Sequence, residues 1–233
     1  MKEQNYSIRK GSTEIDVSHK DSNLTFVHPA YGPNTYLNIK QLIENDEMDT
    51  PTFSETVSLI YPAFVNDKEK KVEEFNDIKK IMKDNWLWGF TGILYTPETI
   101  YVQDNPEIRN GMPFMDEGDL VKKLEQNDPS VRQVQYGFNT GSMSALSLVK
   151  NEFVIALAGE EGADKLAQIA DTFKINPYLW SFKNVNENQT RVSALDSSRS
   201  LDHRLDVIGN NFGNYRDGYA FGVRRKNFSS GNK

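Results

Sequence analysis

The chain has 233 residues, a formal net charge of -6 and no cysteine. The absence of cysteine excludes a disulfide framework, a thiolate metal site and a cysteine nucleophile. Its content of 37% hydrophobic and 11% aromatic residues predicts a folded globular protein and excludes a disordered one. Lysine and arginine do not gather into a broad basic stripe, so the sequence argues against a nucleic-acid partner.

The amino-terminal sequence shows no targeting signal. Residues 1–23 are polar and lack the apolar core of a secretory signal peptide. No apolar run approaches the roughly 18 residues needed to cross a bilayer. We therefore expect a soluble protein without membrane insertion, which reaches a cell surface or a virion only by association.

Residues 1–23 also lack periodicity and are predicted to form a flexible N-terminal arm. Residues 24–27, Leu-Thr-Phe-Val, are the first predicted strand. Pro29 and Pro33 then predict a turn over 28–34, because a proline disfavours helix at the residue before it.

Five helices are predicted from apolar residues at helical spacing. They cover residues 35–45, a segment from Thr52 to about 64, and residues 67–84, 117–126 and 160–173. Thr52 and Glu55 have the spacing of a capping box, in which each side chain bonds the other residue's backbone N–H. The segment 67–84 has the clearest pattern, with Phe75, Ile78 and Met82 predicted to face inward.

Predicted strands lie between and after these helices. Residues 86–90 form one of them, with Trp86, Trp88 and Phe90 alternating with Leu87 and Gly89. Residues 93–95 and 100–102 flank Thr96-Pro97-Glu98-Thr99 as a hairpin, and 131–138 and 153–157 are further strands. The last third carries short strands at 191–192, 205–207 and 218–223, joined by long loops. This arrangement predicts an α+β fold with helices in the first two-thirds and a carboxy-terminal region rich in strands and loops. We expect one domain over 24–226 and a C-terminal tail over 227–233.

Several motifs are better explained by structure than by chemistry. The acidic run 44–49 lacks the spacing of a calcium loop, and the glycines of 159–165 lack the spacing of a phosphate loop. His19, His28 and His203 are too scattered to predict a metal site, and no G-x-S-x-G motif is present. Trp86, Trp88 and Trp180 are predicted to be core residues. The sequence indicates no catalytic residue, no metal ligand and no cofactor.

Residues 195–225 differ from the rest of the chain. Short polar residues are interleaved there with hydrophobic ones, and the segment 218–223 places Tyr219, Phe221 and Val223 on one strand face with small residues on the other. Tyr, Ser, Asn, Asp, Arg and Gly between the hydrophobic positions are typical of antibody paratopes. An ordered framework that carries such side chains predicts a binding face.

These residues resemble a known family. Arg191-Val192-Ser193-Ala194-Leu195, then Leu205-Asp206-Val207, then Gly-Tyr-Ala-Phe-Gly-Val-Arg-Arg at 218–225 resemble the variable region of diversity-generating retroelement variable proteins of the archaeal type. The closing octapeptide is also similar to the last strand of C-type lectin folds of the formylglycine-generating-enzyme-like branch. In that family, mutagenic reverse transcription changes template adenines, and Asn, Asp, Ser, Gly, Tyr, His, Arg, Phe and Ile are all reachable from an Asn-like codon.

The resemblance implies a single C-type lectin-like domain with a variable region over about 191–225. It implies variable side chains on one face, held by main-chain packing and not by calcium, that bind a changing set of proteins on cells or viruses. The oxidase chemistry of the formylglycine-generating branch is excluded because it relies on cysteines. The calcium-dependent sugar signatures Glu-Pro-Asn, Gln-Pro-Asp and Trp-Asn-Asp are absent from the sequence.

Carried over residue by residue, the resemblance implies one set of ligand contacts in each of the two polar runs. They are Asp196, Ser197, Ser198, Arg199, Asp202, His203, Asn210, Asn211, Phe212, Asn214, Tyr215, Arg216 and Asp217. Phe212, Tyr215 and Arg216 are the expected anchors, because aromatic and arginine side chains dominate binding energies. Leu195, Leu205, Val207, Phe221 and Val223 are the expected core.

Two other functions stay open. One is a small-molecule enzyme with a site near His28 and Trp86-Leu87-Trp88 in the helical first half, although no nucleophile and base pair is visible there. The other is a structural protein of a virion or surface, which overlaps with a binding role. The partner is an unknown protein or surface ligand, and the sequence does not indicate an oligomeric state.

Overall fold

The computed structural model describes residues 6–8, 14–65, 72–197 and 203–225. Within these ranges there are six helices: α1 Tyr36–Asn45, α2 Phe53–Val65, α3 Glu73–Asp84, α4 Glu117–Glu125, α5 Ala145–Val149 and α6 Glu152–Ala170. The strands are β1 Tyr6–Ile8, β2 Glu14–His19, β3 Ser22–Asn34, β4 Trp86–Tyr95, β5 Ile100–Asp104, β6 Ile108–Arg109, β7 Met112–Pro113, β8 Val131–Val134, β9 Gly141–Ser142, β10 Tyr178–Trp180, β11 Gln189–Asp196, β12 Asp206–Asn211 and β13 Gly218–Arg225. The predicted α+β class is confirmed.

One large mixed sheet organises the molecule. Its strands follow the order β1-β2-β3-β13-β4-β11-β12-β10-β9. In addition, β5 pairs with β4, and β8 pairs with β5. The final strand β13 is inserted between β3, to which it is antiparallel, and β4, to which it is parallel. The predicted hairpin around residues 96–99 joins β4 and β5 as an antiparallel pair.

Hydrophobic clusters cover both faces of the sheet. On one face α2, α3 and α6 pack against residues that include Leu195, Val207 and Phe221, all almost fully buried. On the other face Ala220 and Trp88 belong to a second cluster with α1 residues. The alternation along β13 thus divides its side chains between two clusters, as the small/large pattern predicted. All five expected core residues have relative exposures of 0–1%.

The capping box at the start of α2 is confirmed. The backbone N–H of Thr52 donates to Glu55 Oε2 at 2.7 Å, and the backbone N–H of Glu55 donates to Thr52 Oγ1 at 3.2 Å. Glu55 also anchors the end of β13, because Arg225 Nε and Nη2 each donate to its carboxylate at 2.7 Å. Arg225 Nη1 lies 2.9 Å from Asp49 Oδ2. The final strand is therefore fixed to the start of α2 by a network of ion pairs.

The predicted flexible arm is wrong for the described part of residues 1–23. Glu14–His19 is strand β2, which pairs with β3, and Ile15 and Val17 are buried. Its sequence Glu-Ile-Asp-Val-Ser-His alternates polar and mostly apolar residues, which is the period of a half-buried strand. Only Ile15 and Val17 carry the apolar half of this pattern, and two positions within a long polar stretch are too few to predict a strand.

The predicted turn at 28–34 is also wrong, because β3 continues to Asn34. Beyond Val27 the strand has no register with β2, so it pairs with β13 alone. Its pairing with β13 shifts register between Val27 and Tyr31 and again between Tyr31 and Asn34. Pro29 and Pro33 lie in these irregular stretches, where a missing N–H does not interrupt a regular ladder.

Residues 153–157 were predicted as a strand, and they form the first half of α6 instead. The Asn151 side chain caps this helix by accepting from the backbone N–H of Phe153 at 3.1 Å. The predicted start near Glu160 corresponds to a break in the helix, where Gly159 has a φ of 73°. Helix burial against α2 and α5 overrides the strand preference of Phe, Val and Ile. Among the helices of the described ranges, none is long and apolar enough to cross a bilayer.

Candidate ligand-binding surface

Residues 212–217, here called the crossover segment, connect β12 to β13. These two strands are not neighbours, because β11 and β4 lie between them in the sheet. The segment therefore crosses the sheet from β12 to β13. It lies close to the cluster that contains Tyr36 and Val192. A Cβ added to Gly213 would lie 3.2 Å from Tyr36 Cβ and 3.3 Å from Val192 Cγ2.

The backbone of the crossover segment is held by hydrogen bonds at both ends. The backbone N–H of Tyr36 donates to the carbonyl of Gly213 at 3.0 Å, and the backbone N–H of Trp86 donates to the carbonyl of Asp217 at 3.3 Å. At the turn out of β12, the N–H of Gly213 donates to Asn211 Oδ1 at 2.8 Å. Gly213 has a φ of 72°, a conformation that favours glycine. Helix α1 and strand β4 thus fix the course of the segment.

Four side chains of the crossover segment are exposed, and we call them the display residues: Phe212, Asn214, Tyr215 and Arg216. Phe212 and Tyr215 have relative exposures of 49% and 48%. All four belong to the predicted contact set, and the three expected anchors are among them. The crossover segment therefore presents two half-exposed aromatic rings beside the exposed polar side chains of Asn214 and Arg216.

The two aromatic display residues rest on neighbouring side chains. The Tyr215 ring stacks on Trp86 with centroids 5.7 Å apart, and Trp86 stacks on buried Trp88 at 6.5 Å. The Phe212 ring lies beneath the guanidinium of Arg191, with 4.0 Å from the Arg191 Cζ to the ring centroid. Each ring therefore has one supported face or edge, and much of the remainder is in solvent.

The other predicted contacts are distributed differently. Asp196, Ser197 and Asn211 are buried at 7%, 4% and 5% exposure, and the N–H of Ser197 donates to the carbonyl of Met82 at 2.6 Å. Asn210 and Asp217 are half-buried. Ser198, Arg199 and Asp202 lie outside the described residues.

His203 is exposed, but it faces a different environment from the crossover segment's aromatic rings. It lines a cavity together with Lys83, Asp84 and Asp217. The described members of the first polar run are therefore mostly buried at the carboxy end of β11, and those of the second run provide most of the exposed set.

Strand β10 carries two aromatic rings, Tyr178 and Trp180. Tyr178 was not among the predicted contacts. Trp180 was expected to be buried, and this is wrong because 40% of it is exposed. Its ring lies 4.4 Å from that of Tyr178, and its Nε1–H donates to Asp206 Oδ2 at 3.1 Å. The signal was the Tyr-Leu-Trp alternation, which places both rings on one face of a short strand with only Leu179 directed inward.

The residues of the alternative enzyme site have structural contacts. Trp88 is fully buried, and His28 Nε2 lies 3.1 Å from Asp77 Oδ2. His19 Nδ1 lies 2.9 Å from Ser58 Oγ, and burial lowers the pKa of its imidazole below the usual range. No group of three or more potential metal ligands occurs in the part of the chain that the structure describes.

Comparison of the chain with protein-family models, with curated proteins and with solved structures finds no match to any of them.

Proposed function

We propose that this protein is a ligand-binding protein whose display residues contact a protein or surface ligand, on a C-type lectin-like framework. The observation that carries the proposal is the combination in the crossover segment of a fixed backbone with half-exposed Phe212 and Tyr215. Aromatic and arginine side chains on an ordered surface contribute most of the free energy at protein interfaces.

The manner in which the segment is held supports tolerance to sequence change. Two of its three anchoring hydrogen bonds use the backbone carbonyls of Gly213 and Asp217 as acceptors, and the third uses the side chain of Asn211, which is not a display residue. The display side chains therefore take no part in these bonds. A surface whose order depends on its main chain retains its shape when its side chains are replaced, as the resemblance to diversity-generating retroelement variable proteins implies.

The framework supports the same proposal. The residues expected to be fixed, such as Phe221 and Val223, are buried in the sheet, and the display residues lie in the preceding connection. The proposed family therefore explains why polar and aromatic residues without catalytic spacing directly precede the most regular small/large strand. It also leads us to propose that the protein is not an enzyme.

The proposal is tested by randomising the display residues in a yeast-display library and selecting for binding to hen lysozyme as an arbitrary protein target. We expect most library members to be displayed as folded proteins and selection to enrich binders. A control library randomises four exposed hydrophobic residues on other surfaces, Leu42, Val121, Leu146 and Ile175. An equal yield of binders from the control library, or loss of folded display from the first, contradicts the proposal.

The diversification itself is tested in the DNA. We expect a near-repeat of the sequence that encodes about residues 191–225, differing at adenines of the template copy, with a reverse transcriptase gene nearby. Mismatches that fall on codons of the buried residues Leu195, Val207 and Phe221 as often as on those of the display residues would contradict this assignment.

A further inference from the structure

Three arginines in the described chain place their guanidinium groups over aromatic rings. Arg109 lies 3.7 Å from the centroid of Phe114, Arg204 lies 4.4 Å from that of Tyr178, and Arg191 lies 4.0 Å from that of Phe212. Arg191 also lies over a second ring, Phe182, at 5.3 Å. The three groups are therefore comparable in their stacking, and they differ in what neutralises their charge.

Two of these arginines have a carboxylate partner. Arg109 donates through Nε and Nη2 to both oxygens of Glu107, each at 2.9 Å. Arg204 Nε donates to Asp206 Oδ1 at 2.8 Å. Arg109 thus makes the two-point contact with a carboxylate that is the strongest pairing of an arginine, and Arg204 makes a single charged bond.

Arg191 has no carboxylate partner among residues 14–65, 72–197 and 203–225. Its Nη1 donates to the backbone carbonyl of Thr190 at 2.7 Å, and its Nη2 donates to Gln189 Oε1 at 2.5 Å. Its Nε is buried and has no hydrogen-bond partner. Neutral acceptors thus orient this guanidinium from one side, and its positive charge remains uncompensated.

The lack of compensation has an energetic consequence. Burial lowers the pKa of Arg191, opposed only by Tyr95, whereas the pKa of Arg109 is raised by its hydrogen bond to Glu107. A guanidinium stays charged throughout the physiological range, so partial burial leaves a cation with less hydration and no counter-ion. An external anion gains more from such a cation than from one already paired.

We propose that Arg191 is an anion-recognition residue of the ligand-binding surface and receives a carboxylate of the bound protein, such as an aspartate, a glutamate or a chain terminus. This inference rests on the proposed function, because Phe212, whose ring lies beneath the guanidinium, is a display residue. Because Nε is buried, a ligand meets the guanidinium through the N–H groups of Nη1 and Nη2 that Thr190 and Gln189 leave free. Such a pair of coplanar donors matches a planar carboxylate better than a tetrahedral anion.

The position of Arg191 gives the site a specific role. It lies on strand β11, within the framework, and outside the crossover segment. Replacement of Phe212 removes one of the two rings beside Arg191, but Phe182, Thr190 and Gln189 are not display residues and still hold the guanidinium. The surface then combines one fixed requirement, an anionic group on the ligand, with a variable set of contacts around it.

The test is a titration of the ¹⁵N-labelled protein with sodium acetate, with sodium chloride at equal ionic strength and with sodium sulfate. The readouts are the arginine Nε–Hε signals and the backbone amides of Gln189, Thr190 and Val192. We expect a saturable shift of the Arg191 signal with acetate, with a dissociation constant on the order of tens of millimolar for one charged hydrogen-bonded pair. The signals of Arg109 and Arg204 should stay unchanged.

Matched variants distinguish the site from a general charge effect. Arg191→Lys identifies the signal by removing it, and Arg191→Gln should abolish the acetate-dependent shifts of the neighbouring amides. Arg109→Gln, which also removes a stacked guanidinium, should leave them intact. A thermal unfolding midpoint close to that of the parent protein verifies that each variant is folded.

The proposal is overturned by equal responses to acetate and chloride, by persistence of the shifts in folded Arg191→Gln, or by a response to sulfate alone. The titration uses no protein ligand, so its outcome is independent of the outcome of the display libraries. Acetate binding at Arg191 without selectable binders would leave an anion site on a surface that does not bind protein. Binders without acetate binding would retain the proposed function and remove this site from it.

Discussion

The crossover segment and β13 are consecutive in the chain and differ in what their side chains contribute. In β13 buried side chains add to the main-chain pairing with β3 and β4: Phe221 and Val223 are 1% and 0% exposed, and Arg225 is paired with Glu55. In the crossover segment the backbone is anchored, and Phe212 and Tyr215 remain half exposed. Order in a segment therefore does not require that its side chains be buried. A segment held by its main chain keeps its course while its surface chemistry is free to change.

The largest expected difference is between two phenylalanines. Phe221→Ala should lower the free energy of unfolding by about 3–5 kcal/mol, because it removes a buried ring and leaves a cavity between β13 and the helices. Phe212→Ala, which removes the same atoms from a half-exposed position, should change it by less than about 1 kcal/mol. Urea unfolding of both variants measures the difference. Similar losses would mean that the crossover segment is held by its side chains after all.

Two glycines of β13 sharpen the comparison at the level of the backbone. A Cβ on Gly218 would lie 2.0 Å from Trp88 Nε1, whereas a Cβ on Gly222 would lie 2.7 Å from the terminal methyl of Met48. The rigid, fully buried indole cannot move aside, but the end of a methionine can. We expect Gly218→Ala to cost about 3 kcal/mol and Gly222→Ala about 1 kcal/mol. If thermal or urea unfolding showed a larger loss of stability for Gly222→Ala than for Gly218→Ala, the tightest contact of β13 would be with Met48 and not with Trp88.

A third comparison concerns pH. Burial raises the pKa of the Glu55 carboxyl, but the hydrogen bonds and charge of Arg225 outweigh it, so the pKa in the folded protein lies below the usual range. The unfolded state then binds the proton more readily, and stability falls as the pH decreases through the ordinary glutamate pKa of about 4.3 toward the lower folded value. This contribution is fully present above that range.

Glu55→Gln removes the titrating group and should make unfolding free energy less dependent on pH by about 1–2 kcal/mol between pH 6 and pH 3. Glu44→Gln serves as the control, because Glu44 forms an exposed pair with Lys40 on α1. Parallel curves for the parent protein and Glu55→Gln would show that the anchor at the end of β13 does not depend on the charge of Glu55.

The sequence was informative where a pattern was long or chemically specific. Helical spacing predicted α3 through Phe75, Ile78 and Met82, and the Thr52 and Glu55 spacing predicted a capping box that the structure contains. The small/large alternation of β13 predicted which residues are buried, because one period-2 pattern assigns every side chain to a face.

The sequence failed where tertiary contacts overrode local preference. Residues 153–157 are rich in strand formers, but the Asn151 cap and the packing of α6 on α2 make them helical. Within the candidate site, composition identified the exposed Phe212 and Tyr215, but it did not separate them from Asn211, which is buried and bonded to Gly213. That distinction depends on the path of the crossover segment over the sheet, and no local pattern encodes a path between distant strands.

The insertion of β13 between β3 and β4 also determines when the fold can be completed. During synthesis, β3 and β4 leave the ribosome long before residues 218–225, and the position between them stays empty until the last described strand arrives. Closing it requires contacts between residues about 200 positions apart, such as Arg224 with Thr25, and contacts of such high sequence separation form slowly. The crossover segment is made immediately before this step, and its backbone is held by bonds to Tyr36, Trp86 and Asn211. We therefore expect a substitution that disturbs Gly213 or the pairing of β13 to slow folding as well as to lower stability.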